Sequence, residues 1–457
     1  MGVLPDLDPL TLDMGRRFRA AGHELYLVGG TVRDMLLQRE RANEDMDFAT
    51  DALPEETLKV VQGWPAAERR YLKGIRFGTV GVWVAERELE ITTYRKEVYP
   101  NDDRHPKVTF GTEVTVDLSR RDFTVNAMAV RLPEGEFVDP YGGVKDLAAK
   151  VLRTPLDPEV SFGDDPLRML RAARFVAGLE LEPAPEVVGA MTRMAGRLEI
   201  VSAERIRDEL SKLLVTPDPT RGLELLVATG LADRFLPELP GLQLEQDPVH
   251  RHKDVLRHTF AVVAKCEPTL ELRLAALLHD IGKPATRQFT GDGVQFHHHE
   301  VVGARMAAVR LRELRYPNDV VDDVVPLVEM HLRFHSYTGW SDAAVRRYVR
   351  DAGDLLDPLN QLVRADCTTQ NLAKARALAA LQDDLEVRIA HLAEEENLAA
   401  MRPPLDGQEV MDRLGVRPGP VVGDALRYLM EERLERGPID KDEALKLLDE
   451  WAASRQT

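Results

Sequence analysis

The sequence predicts an α+β chain in which a mixed sheet with helices comes first and helices alone fill the remainder. Three observations predict it. Over residues 1–150 short strand-like runs (ELYLV, MDFAT, TVGVWV, ELEITTY) alternate with helical ones such as TVRDMLL. From about Leu156 apolar residues recur at spacings of three and four, as in DPLRMLRAARFVAGL and SAERIRDELSKLL, with Asp or Ser near each start. The chain has 457 residues, more than one hydrophobic core usually serves.

Composition narrows the class. Apolar residues make up 44%, ordinary for a soluble globular protein. No apolar run reaches the length of a membrane span, and MGVLPDLDPL lacks a basic segment followed by an apolar one, so a cytoplasmic protein with no membrane partner is expected. Cys266 and Cys367 stand far apart, in no metal-ligand spacing, and read as reduced, buried thiols. The net charge of −17, from 60 Lys+Arg against 77 Asp+Glu, counts mildly against a nucleic-acid substrate. Phosphate contact, however, depends on local basic stripes. Arg168, Arg171 and Arg174, three apart on one predicted helix, form such a stripe, and Arg120-Arg121 form a second cluster. A solvated surface is the plain alternative for each.

The first strand runs into Gly29-Gly30-Thr31 and then a helix carrying Arg33 and Asp34. Two glycines allow a sharp turn and close approach to a ligand, and a helix N-terminus offers free N–H groups to a triphosphate. An ordinary structural turn would look the same. The next strand carries Asp45-Met46-Asp47. Residues i and i+2 of a strand share a face, so the two carboxylates converge. Such a pair is costly unless a cation lies between them, and hard oxygen ligands suit Mg²⁺ or Mn²⁺. Two such ions activate a 3′-hydroxyl and stabilise a leaving pyrophosphate. Glu90, on ELEITTY, is a candidate third carboxylate. The alternative is an acidic strand end facing solvent.

GGTVRD, a short basic segment and EDMDF together resemble the head of the polymerase-beta-type nucleotidyltransferases, in particular the bacterial tRNA nucleotidyltransferase (CCA-adding) and poly(A) polymerase family. The resemblance continues in order through ITTYRKE, RRDFTVNAMAV, VDPYGGVKDL, DDPLRMLRAARF and ERIRDEL; it is close over the first half and looser beyond. It implies template-independent addition of C and/or A to the 3′ end of tRNA from CTP and ATP, with release of pyrophosphate. Full CCA addition, CC only, A only and a poly(A) tail all stay open. Gly29, Gly30, Thr31 and Arg33 would hold the triphosphate side. Arg121, Asp122 and Asn126 would support sugar and triphosphate binding, with Phe123, Val125 and Met128 as core.

Asp164, Asp165 and Arg168 stand where the family has Glu-Asp-x-x-Arg, the motif that reads the incoming base. Cytosine and adenine each place an exocyclic amino donor beside a ring-nitrogen acceptor. A carboxylate can accept from the first and a guanidinium donate to the second. Asp165 and Arg168, three apart, are expected on one helix face. Asp164 is one methylene shorter than the usual Glu. A helix cap with a surface ion pair is the alternative. Residues 95–110, polar with two prolines, read as a flexible loop. In the family such a loop switches the pocket from C to A. Asp103-Arg104 is similar to the acidic-basic pair of complete CCA-adding members, whereas RKE followed by Tyr-Pro resembles relatives that add only part of the sequence.

A second constellation follows. His258, then His279-Asp280 in LAALLHDIGKP, then Asp366, resemble the HD phosphohydrolase superfamily, whose four ligands come in this order. Imidazoles with carboxylates suit a divalent transition metal or Mg²⁺, and a water bound there attacks phosphoesters. His299, His331 and His335 are candidates for a second ion or a phosphate. The resemblance is compatible with a phosphatase or 2′,3′-cyclic phosphodiesterase and also with a degenerate copy. In LGVRPGPVVGDALRYL, Gly415, Gly419, Gly423 and two prolines mark a turn opening a helix, which resembles the tail of larger relatives. Either it contacts tRNA, with Arg417 and Arg427, or it is a packing or dimer module. The expected layout is a nucleotidyltransferase head (1–150), a helical neck (151–245), an HD domain (246–385) and a helical tail (386–457). Two rivals are an HD phosphohydrolase with an idle head and a non-catalytic RNA-binding protein; the intact carboxylate and base-reading pairs argue against the latter. The oligomeric state is not legible.

Overall fold

The computed structural model describes residues 7–39, 45–71, 78–98, 107–244, 254–291, 293–337, 339–369, 371–396 and 402–455. The chain divides into two compact units, Met1–Pro237 and Glu238–Thr457.

The first unit opens with α1 (Pro9–Ala20), β1 (Leu25–Val28), α2 (Gly30–Leu36), β2 (Asp45–Thr50), α3 (Pro54–Gln62), β3 (Arg69–Tyr71), β4 (Thr79–Val84) and β5 (Arg87–Thr93). It continues through β6 (Arg95–Val98), β7 (Lys107–Phe110), α4 (Val114–Ser119), β8 (Ala129–Leu132), β9 (Glu136–Val138) and α5 (Gly143–Ala148). Seven strands form one sheet in the order β3-β4-β5-β2-β1-β8-β9, with β2 and β5 parallel and the other pairs antiparallel.

The two-residue period of the strands assigns the faces. Met46, Phe48, Val80, Val82, Leu89 and Ile91 point to one side and pack with Phe18, Leu27 and Trp64 into the main core. On the other side Tyr26, Val28, Ala49 and Ala129 are covered by Tyr94, Leu118 and Ala127. That cover lies over β1 and β8, whereas Asp47 on β2 and Trp83 on β4 are exposed. One end of this face is therefore packed and the other is open for chemistry.

The unit closes with β10 (Val151–Leu152), α6 (Pro158–Asp164), α7 (Leu167–Gly178), β11 (Glu182–Pro183), α8 (Pro185–Met194), α9 (Ala203–Leu214) and α10 (Thr220–Ala228). Asp157 and Ser202 cap α6 and α9 by accepting from backbone N–H groups.

The second unit contains α11 (Val255–Lys265), α12 (Leu270–Leu278), α13 (Lys283–Thr286), β12 (Arg287–Thr290), β13 (Gly293–Phe296), α14 (His299–Glu313) and α15 (Asn318–Met330). It ends with α16 (Asp342–Ala352), α17 (Leu356–Asp366), α18 (Leu372–Glu396), α19 (Gly407–Leu414), α20 (Pro420–Arg436) and α21 (Lys441–Ser454). Every residue of α12 from Leu272 to Leu278 is buried, so this helix is the centre around which α11, α15 and α17 pack. The last three helices share their own apolar cluster, including Val410, Leu429 and Leu448. Among the described residues no helix is long and apolar enough to cross a membrane.

Four expectations need correction. The stretch 95–110 is not loop throughout: β6 and β7 pair antiparallel from Arg95↔Phe110 to Val98↔Lys107, because RKEV and KVTF can satisfy each other's backbone groups. Asp103 and Arg104 lie outside the described residues. Asp165 and Arg168 do not share a helix. A residue before proline is driven out of the α region, so Asp165 is extended (φ −143°, ψ 102°) and α7 starts beyond Pro166. The neck and HD regions, expected to be all-helical, are not purely so, since β10 and β11 pair in parallel and β12 and β13 form a hairpin. The sequence TGDG is a hairpin signal that the helical periodicity on either side obscured. Finally, Cys266 is buried but Cys367 is only half-buried; both are free thiols.

Candidate active site

Parallel pairing of β2 and β5 sets Asp45 opposite Glu88 and Asp47 opposite Glu90. Residues paired in a ladder share a face, so Glu88 joins the three carboxylates expected from the sequence. Met46, Asp47, Glu88 and Glu90 line a cavity of about 280 Å³. Glu88 was overlooked, although it stands two before Glu90, the spacing that joined Asp45 to Asp47. Like charges gathered on one face are costly without a cation, and this oxygen-only donor set fits hard divalent ions.

Gly29 caps α2 with φ 75°, a conformation open to glycine. A Cβ there would stand 2.8 Å from an Arg121 guanidinium nitrogen and 3.7 Å from Asp47 Oδ2. The turn thus threads between the cation and the carboxylate, with room for backbone only. Gly30 and the buried Thr31 open α2.

Arg33 donates to both oxygens of Asp34 and, at 2.6 Å, to Asn126 Oδ1. Asn126 donates to Asp122 Oδ1 at 3.0 Å, as does the Phe123 N–H at 2.8 Å. The other Asp122 oxygen accepts twice from Arg171 on α7. Burial pushes Asp122 toward protonation, but Arg171 and these donors outweigh it and hold its pKa at about 2. Arg171 and Arg174 both pair with the buried Glu209 of α9, and Phe175 lies beneath Arg33, Arg171 and Arg174. Five candidates (Arg33, Asp122, Asn126, Arg171 and Arg174) therefore belong to one network. Glu209 and Phe175, which complete it, sit inside ERIRDEL and RAARF but were not singled out. Phe123, Val125 and Met128 are fully buried.

The base-reading candidates stand on separate elements. Asp164 ends α6. Asp165 pairs with Arg205 of α9 at 2.7 Å and caps the Leu167 N–H at 3.1 Å. Arg168 is buried; it donates to Ser161 Oγ at 2.8 Å and to the Arg120 carbonyl at 2.5 Å. Asp117 on α4, 1% exposed, was also missed. Its carboxylate accepts from Arg120 at 2.8 Å, from Arg121 at 3.3 Å and from the Arg95 N–H, where β6 begins, at 3.5 Å.

In the second unit, helix ends converge on a buried cluster. His258 Nε2 lies 2.9 Å from Asp366 Oδ1, 3.3 Å from His279 Nε2 and 3.6 Å from Asp280 Oδ2. His299 Nε2 lies 3.3 Å from Asp280 Oδ1. Asp280, His299 and His331 form a second group with ligand atoms within 4.8 Å of one another. Each imidazole is oriented through Nδ1: His258 to Thr368 Oγ1, and His279, His299 and His331 to the carbonyls of Ala276, Phe296 and Val328. That leaves Nε2 for the centre, as metal-binding histidines require. His299 Nε2, His331 Nε2 and Asp280 Oδ1 are buried without hydrogen-bond partners, a cost that a cation would relieve. Burial pushes the pKa of His331 down to about 3, keeping the imidazole neutral. Burial would also protonate Asp280, but His279 and Lys283, whose Nζ lies 2.6 Å away, hold its pKa well below the usual carboxylate range. His335 lies on the 3-10 turn Arg333–Ser336, and His297 and His298 are exposed. On α20 Arg427 is engaged by Asp424, and Arg417, between α19 and α20, is exposed.

Comparison with known proteins follows this division. The family described as Poly A polymerase head domain matches residues 25–153, that described as Probable RNA and SrmB- binding site of polymerase A matches 180–242, and the HD domain matches 255–397. The chain is 36% identical to the A-adding tRNA nucleotidyltransferase of Deinococcus radiodurans, across 93% of this chain and 95% of that one. It is 33% identical to the CC-adding tRNA nucleotidyltransferase of Thermus thermophilus, across 95% of each. Among solved structures, the Bacillus stearothermophilus CCA-adding enzyme in complex with CTP superposes with a TM-score of 0.73 at 25% identity, covering 98% of this chain and 99% of that one.

Proposed function

The chain belongs to the bacterial tRNA nucleotidyltransferase and poly(A) polymerase family, with an HD domain in its second half, and we propose that it completes the CCA end of tRNA. It is a nucleotidyltransferase that adds C and A without a template, taking CTP and ATP and releasing pyrophosphate. One observation carries this reading: Asp47 and Glu90 sit opposite each other beside the Gly29 turn, so a carboxylate cluster and a triphosphate cradle share one edge.

Asp45, Asp47 and Glu90, joined by Glu88, would hold the divalent ions, Mg²⁺ or Mn²⁺, that neutralise charge at the α-phosphate and favour ionisation of the attacking hydroxyl. The Gly29–Gly30 backbone, Thr31, Arg33 and Arg121 hold the triphosphate. Asp122, fixed as a carboxylate by Arg171, and Asn126 orient the sugar. Asp165 accepts from the exocyclic amino group of C or A, and Arg168, steadied by the Arg120 carbonyl, donates to the ring nitrogen. Asp164, Arg171 and Arg174 support that pair.

In the second unit His258, His279, Asp280 and Asp366 would hold a divalent ion, a transition metal or Mg²⁺, which supplies an activated water for phosphoester hydrolysis. The unpartnered nitrogens of His299 and His331 favour this additional phosphohydrolase reading.

The test is an incorporation assay on tRNA ending before the CCA, after its first C and after its second C, with each labelled nucleoside triphosphate. Addition of C, C and A followed by arrest is expected. Addition of only C or only A would instead place the chain with the Thermus or Deinococcus relative. No incorporation on any acceptor overturns the reading.

A further inference from the structure

We propose that Trp83 is a stacking surface for the terminal base of the RNA acceptor, on the side of the carboxylates away from the incoming nucleotide. Pairing of β4 sets Trp83 opposite Glu88 on one side and Arg69 on the other. Ladder partners share a face, so Asp45, Glu88, Trp83 and Arg69 form one row across the sheet. The neighbouring row runs Asp47, Glu90, Gly81. Gly81 is buried but has no side chain, so on this face β4 itself places no side chain between Trp83 and the row of Glu90.

Trp83 is 36% exposed, while its neighbours Val82 and Val84 are 0% and 2% exposed on the core face. Arg69, one strand further, is also exposed. With strands about 4.8 Å apart, Trp83 stands roughly 5 Å from the Glu88 position and roughly 10 Å from that of Asp45, within one nucleotide of the reacting hydroxyl.

Direction decides the occupant. Gly29 and Arg121 adjoin Asp47 from the β1 side, so the leaving pyrophosphate belongs there. An in-line displacement places the attacking hydroxyl on the opposite side of the phosphorus. The acceptor must then approach over β5 and β4, where Trp83 lies. Stacking suits this acceptor, because its last base changes with each addition and every base has a π-face. Arg69 supplies a cation to an RNA phosphate just beyond the acidic cluster.

This rests on the function proposed above, so the experiment separates the two. The full-length protein, Trp83→Phe and Trp83→Ala would be titrated with tRNA ending before its CCA, following tryptophan emission, and assayed for CTP incorporation. Quenching that disappears in Trp83→Phe is expected. Trp83→Ala should weaken acceptor binding by roughly ten- to a hundredfold, and Trp83→Phe should retain most of it. The KM for CTP should stay unchanged in both, which loss of strand packing would not produce. Unchanged acceptor affinity in Trp83→Ala, an equal rise in the KM for CTP, or quenching that persists in Trp83→Phe would overturn the assignment. A wild-type protein that neither binds nor extends tRNA would instead sink the function itself.

Discussion

Arg171 donates its Nε–H and one Nη–H to the same oxygen of Asp122, at 2.9 and 2.6 Å, across 49 residues of sequence. This pair ties α7 to the segment after α4. With Asn126, Arg33 and Glu209 it makes one charged network from parts of the head and the helices behind it. Among buried groups such a pair does little for net stability but penalises any arrangement that breaks it.

Acid should expose that dependence. The folded pKa of Asp122 is about 2, below the value of roughly 3.9 for an unfolded aspartate. A depressed pKa contributes stability that is fully present above the unfolded value and lost as pH falls through the folded one. The window therefore runs from about pH 5 down to about pH 2, and roughly 2–3 kcal/mol is at stake. Denaturant unfolding of wild type and Asp122→Asn should differ most at pH 7 and converge toward pH 2. Curves that stay parallel would show that the charge does not carry the effect.

Arg168→Ala should lower kcat/KM for CTP and ATP by roughly ten- to a hundredfold and raise relative use of GTP and UTP, because a positioned donor is lost. Competition between labelled nucleotides measures this directly. A variant that still refuses GTP and UTP would remove Arg168 from base selection.

Strand assignments were legible where the two-residue period was clean. TVGVWV is β4, residue for residue, because its alternate valines face a core while Trp83 and Gly81 do not. Asp45, Asp47 and Glu90 were legible for the same reason, and Glu88 was not picked out although it obeys the same period. Asp117 and Glu209 were not, since a buried acid that serves a distant arginine has no local signature. Asp165 and Arg168 misled because their spacing fits a helix, while the proline between them, which forbids it, acts on the residue before it. The hairpin at 287–296 was hidden between two strongly helical stretches.

Asp117→Asn keeps the shape and removes the charge that Arg120 and Arg121 share. Burial opposes ionisation of Asp117, and the two arginines outweigh it to keep the pKa low. With Arg121 released beside Gly29, the KM for CTP and for ATP should rise together by roughly tenfold or more, as expected for a lost hydrogen bond to a charged group. Acceptor affinity should be unaffected. A change in acceptor affinity alone would place Asp117 elsewhere in the mechanism.

The two sites should separate cleanly by mutation. Asp47→Asn should reduce nucleotide addition by on the order of a thousandfold, since several kcal/mol of charge stabilisation would be lost, and leave ion binding in the second unit intact. Asp280→Ala should do the converse. With Ni²⁺, which imidazoles favour over a carboxylate-only set, at a hundred times its dissociation constant, wild type and Asp47→Asn should be stabilised by about 2.7 kcal/mol and Asp280→Ala should not. Gly282 gives a subtler probe. A Cβ there would lie 2.2 Å from the His299 carbonyl and 2.7 Å from the Gly303 nitrogen, so Gly282→Ala must push away the start of α14 and His299 with it. That variant should bind the ion more weakly while adding nucleotides at the wild-type rate. Stabilisation by the ion that survives in Asp280→Ala would mean that the histidine-aspartate cluster is not the site that binds it.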